Sequence, residues 1–80
     1  MGKYINGIGT TYTEKIKALK EQHGAIETDS SFKKNLVCVI NNGFFAAAGY
    51  ADTEEERNAF AEPDGRPKTW LQVPNVENLI

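Results

Sequence analysis

The stretch that most restricts the fold is Leu36-Val37-Cys38-Val39-Ile40, a short run of apolar, largely β-branched residues that ends in Asn41-Asn42-Gly43. Asn-Gly favours a tight type I′ turn, because both residues tolerate positive φ, so the spacing predicts a β-hairpin. With Asn42 and Gly43 as the loop, Ile40 faces Phe45, Cys38 faces Ala47 and Leu36 faces Gly49. The other side of the ladder then joins Val37 and Val39 to Phe44, Ala46 and Ala48. A helix over Phe44 to Ala48 competes, since alanine is the best helix former; the flanking glycines favour strand. Both faces of this hairpin are apolar, so it must be sandwiched between layers or give one face to another chain.

Size sharpens that problem. A chain of 80 residues has room for one domain spanning 1–80, and such a domain buries only about 60% of the surface its unfolded form exposes. One cysteine, Cys38, allows no internal disulfide, and one histidine, His23, leaves too few ligands for an ordinary zinc site, so neither metal nor cofactor is expected. The apolar run Gly43 to Ala51 is far short of the roughly 20 residues that cross a membrane, and the N-terminus does not read as a signal peptide. The expectation is a cytoplasmic protein without membrane association.

Residues 1–10 read as an extended arm or short edge strand, with Tyr4, Ile5 and Ile8 β-prone and two glycines weakening the pairing. Thr11-Tyr12-Thr13-Glu14 fits a capping box, which predicts a helix from Tyr12 to His23 closed by Gly24. Its apolar stripe is Tyr12, Ile16 and Leu19, with His23 next, while Lys15, Lys17, Lys20 and Glu21 lie off it. Ala25 to Ser31 reads as a loop leading to Phe32. Asp52-Thr53 and the acidic run Glu54 to Glu56 signal a second short helix, roughly Thr53 to Ala61, whose buried contacts are Ala59 and Phe60. Pro63-Asp64-Gly65 suits a type I turn, and Thr69 to Val73 alternates like a strand ended by Pro74. The tail, 75–80, can add a helical turn docking Val76, Leu79 and Ile80. The fold class is therefore α+β, in the order arm-α-β-β-α-β, with a mostly antiparallel three-stranded sheet around the central Asn-Gly hairpin.

Several groupings bear on function. Strand alternation places Arg66, Lys68, Trp70 and Gln72 on one side, and an exposed Arg and Trp are residue types that carry binding energy at protein interfaces. The opposite reading of the same residues is that Trp70 is core and Arg66 pairs with a nearby acid. Gly7, Gly9, Thr10, Thr11, Thr13 and Lys15 precede or open the first helix, where free amides and the dipole can hold an anion. The dinucleotide and Walker patterns are both incomplete there. Glu54, Glu55, Glu56, Glu62 and Asp64 match no calcium loop and point around a helix, so they read as a solvated helix start. His23 and Cys38 form a nucleophile and base pair only if the fold joins them, whereas a strand cysteine is usually inert packing. A net charge of −2 makes nucleic acid an unlikely partner.

The expectation is a non-catalytic protein-interaction module, docking on a partner protein or self-associating, with a homodimer as the simplest form. Arg66, Lys68, Trp70, Phe44 and Phe45 are its candidate partner-binding residues. The type is that of small accessory or inhibitor proteins such as bacterial viruses encode, an analogy of size and character rather than of residues. The alternative is a small-ligand binder that captures a phosphorylated metabolite or nucleotide at Gly7 to Thr13.

Overall fold

The computed structural model describes residues 3–5, 7–29, 34–61 and 67–79. Arg66, the Pro63-Asp64-Gly65 turn, Glu62, Phe32 and Ile80 lie outside the described residues.

The first helix, α1 (Tyr12–His23), begins and ends where the sequence places it. The Thr11 hydroxyl accepts the Glu14 amide at 3.2 Å and donates to the Glu14 carboxylate at 2.8 Å, while Gly24 takes the left-handed conformation that closes the last turn. Around it stand the strands β1 (Lys3–Tyr4), β2 (Ile26–Thr28), β3 (Leu36–Asn42), β4 (Phe45–Ala51) and β5 (Lys68–Gln72), with the second helix α2 (Glu54–Ala61) between β4 and β5. A short 3-10 helix, Val76–Asn78, follows and buries Val76 and Leu79.

The sheet has five strands, not three, in the order β1-β4-β3-β5-β2, with every neighbouring pair antiparallel. The first strand of the arm pairs with β4. The added edge strand β2, expected as loop, pairs Ile26 with Gln72 and Thr28 with Trp70. Three residues are too few to show a strand period, so β5 rather than local propensity determines this element.

In the hairpin, Asn42 pairs with Phe45, so the two loop residues are Gly43 and Phe44 rather than Asn42 and Gly43. Gly43 alone has positive φ there, 73°, the pattern of a type II′ turn with glycine first. The register is shifted by two residues from the expected one: Leu36 faces Ala51, Cys38 faces Gly49 and Ile40 faces Ala47. A shift of two preserves side-chain parity, so each strand residue keeps its face. Phe44 is the exception, removed from the ladder into the loop.

The two apolar faces are both covered from within the chain. Because β4 and β5 flank β3 and both run opposite to it, the connection between them must cross a sheet face. That crossing lays α2 over Leu36, Cys38, Ala51 and Trp70, with Phe60 as its main contact. On the other face α1 packs Leu19 against Val37, Val39, Leu71 and Val73, and the arm adds Ile5. Within α2, Phe60 is half-buried as expected but Ala59 is exposed, since Glu56, Arg57 and Phe60 form the inward stripe.

Candidate functional site

Among the described residues, the large hydrophobic side chains left exposed are Phe44 at 91%, Phe45 at 65% and Ile26 at 69%. Ile26 is isolated: it pairs with Gln72, opposite Leu36, at the end of the sheet away from the hairpin loop. Phe44 and Phe45 are adjacent at that loop. Phe44 occupies the outer loop position and Phe45 the first ladder position, on the same sheet face as Ile40 and Ala47, which are half-buried. The whole hairpin from Leu36 to Ala51 carries no formal charge, so the two rings stand on an uncharged stem.

The stem is held firmly at this end. The Asn41 amide donates to the Pro67 carbonyl at 3.0 Å, and the Ala46 amide donates to the Thr10 carbonyl at 2.9 Å. The aromatic pair is thus displayed on a paired, two-sided support, which lowers the ordering entropy that docking must offset.

The remaining candidate partner residues separate. Trp70 is only 6% exposed and lies opposite Cys38 in the core beneath α2. The alternation that grouped it with Lys68 and Gln72 is correct; the face is covered because α2 crosses it. Lys68 pairs with Ile40, half-buried, at the same end of the sheet as the phenylalanines. Arg66 is outside the described residues.

The approach to α1 is arranged around its own side chains. The hydroxyls of Thr10 and Thr11 both point at the Glu14 carboxylate, at 3.4 and 2.8 Å. That places negative charge where a phosphate would sit. Lys15, expected off the apolar stripe, is 7% exposed and donates from Nζ to the Ile8 carbonyl at 2.9 Å. Its stem packs inward while its ammonium caps the arm, which a charge-based reading of the helix face misses. Gly7 and Gly9 have φ of 81° and 58°, which shapes the turn, and Thr13 is exposed.

His23 and Cys38 are not brought together. His23 ends α1 on one side of the sheet, whereas Cys38 is buried on the opposite face under α2. Among the described residues, no group of His, Cys, Asp and Glu is placed to hold a metal ion, and no helix is long and apolar enough to cross a membrane.

On the face covered by α1, Tyr12 hydrogen-bonds Thr69 of β5. Tyr50 belongs to the core on the same face, opposite Val37, and its hydroxyl donates to Asn35 Oδ1 at 3.2 Å and Asp52 Oδ1 at 3.1 Å. Burial, then the Asp52 carboxylate, with smaller effects from Glu56 and Glu77, push its phenol above the usual 10.0. This cluster ties the Asn35 turn to the end of β4.

No protein-family model matches the chain, and neither the curated proteins nor the solved structures contain a significant match.

Proposed function

We propose that this protein is a non-catalytic interaction module that docks on a partner protein by inserting the hairpin tip, Phe44 and Phe45, into an apolar pocket. The observation that carries the reading is the exposure of two adjacent phenylalanines on a charge-free hairpin whose other apolar side chains are buried or half-buried. Burying such a side chain fully is worth about 1.5–3 kcal/mol, so a pair offers enough to anchor an interface once the tip is pre-ordered. Lys68, near the base of the tip, is suited to the polar rim of that interface.

A photoreactive phenylalanine analogue at position 44, introduced in the cells that make the protein, tests this directly. A discrete adduct at position 44, absent when the analogue replaces the exposed Glu55 on α2, is the expected result. Adduct mass then separates a second copy of this chain from a different protein. No adduct at 44, or the same adducts from both positions, contradicts the reading.

A further inference from the structure

We propose that Asn42 is a site of spontaneous deamidation that alters the hairpin tip, the effect on binding resting on the docking reading above. The chemistry requires the amide nitrogen of the following residue to reach the asparagine Cγ, and a side chain on that residue obstructs the approach. Gly43 has no side chain, and nothing lies within 4 Å of where its Cβ would stand. It sits in the loop beyond the last ladder pair, Asn42 with Phe45, so its amide is not tied across the hairpin. Asn42 is exposed to the water that completes the reaction. By contrast, Asn35, Asn41, Asn58, Asn75 and Asn78 each precede a residue with a side chain.

In the first step the Gly43 nitrogen bonds to Asn42 Cγ, and the side-chain nitrogen leaves as ammonia, closing a succinimide. Water then opens the ring at either carbonyl, leaving aspartate or isoaspartate at position 42. One water is consumed and one ammonia released, with no redox partner. Either product puts a carboxylate into a segment that carries none, directly beside Phe44 and Phe45. Isoaspartate also lengthens the main chain by one methylene at the pair that closes the turn, which disturbs the register of the aromatic residues.

The test incubates the full chain at mildly alkaline pH and maps it by proteolysis and fragmentation mass spectrometry, which separates Asn42 from the other Asn-Gly pair, Asn6-Gly7. The expected result is the amide-to-acid mass gain at position 42, with part of the product accepting a methyl group from isoaspartyl methyltransferase. Asn42→Gln, which must close a larger ring, should lack it. Retention of Asn42 in the folded chain while a free Ile40-to-Ala46 peptide converts would overturn the proposal. The converted form, isolated by ion exchange with the photoreactive group at 44, should cross-link more weakly than the unconverted form; equal cross-linking would overturn the effect on binding. Conversion at 42 in a chain whose unconverted form also fails to cross-link would refute the docking reading and leave the modification site standing.

Discussion

The ring of Phe60 on α2 lies against Gly49 of β4 so closely that a Cβ on Gly49 would collide with it. This contact seats the crossing helix on the sheet and closes the small core of Leu36, Cys38, Ala51 and Trp70. Gly49→Ala should destabilise the fold by about 1–3 kcal/mol through overpacking. In a double-mutant cycle with Phe60→Ala, measured by urea unfolding, the two effects should be strongly non-additive. Simple additivity would show that the ring is not what excludes a side chain.

The capping hydroxyl of Thr11 accepts the Glu14 amide at 3.2 Å. Thr11→Ala should cost about 1 kcal/mol of stability, and Thr11→Asp, which retains an acceptor, should recover part of it. Thermal or urea unfolding of the three proteins provides the comparison.

Lys15 places its ammonium on the Ile8 carbonyl at 2.9 Å while its stem lies buried. Lys15→Met keeps the apolar stem and removes the charged donor, and should cost about 1.5–3 kcal/mol. Amide exchange should rise first in the arm around Ile5 and Ile8. Unchanged exchange there would mean that the lysine does not hold the arm.

Tyr50 supplies a pH dependence of known sign. Its folded-state pKa is raised above 10.0 by burial and by Asp52. The neutral phenol is therefore favoured by folding, and its contribution is fully present below the unfolded value and lost as pH rises through the folded one. The stability difference between wild type and Tyr50→Phe should be constant at neutral pH and shift against the wild type above pH 10.0. An identical difference across that range would contradict the assignment.

How far the sequence reveals this architecture depends on whether local or tertiary forces decide each element. α1 is legible from end to end because Thr11, Glu14 and Gly24 satisfy its terminal groups locally. The hairpin is legible in its faces but not its register, because Gly43 serves either loop position and parity is blind to a two-residue slip. The strand Ile26–Thr28 is not legible, since its partner lies far along the chain in β5. Trp70 alternates as expected, yet only the crossing of α2 decides that its side is buried. Of the candidate partner residues, Phe44 and Phe45 are exposed at the hairpin tip whereas Trp70 is buried, and of the alternative anion site Lys15 and Thr11 are engaged within the chain.

On the proposed reading, the aromatic tip serves binding rather than folding. Phe44 is 91% and Phe45 65% exposed, so Phe44→Ser combined with Phe45→Ser should change unfolding stability by no more than about 1 kcal/mol, about 0.5 kcal/mol for each. The decisive measurement is the affinity of this folded double variant for the partner captured at position 44, or for itself if the adduct is a second copy. The expected result is a loss of tenfold or more, the roughly 1.4 kcal/mol or more of an interface anchor. Affinity equal to that of the wild type, with stability unchanged, would contradict it.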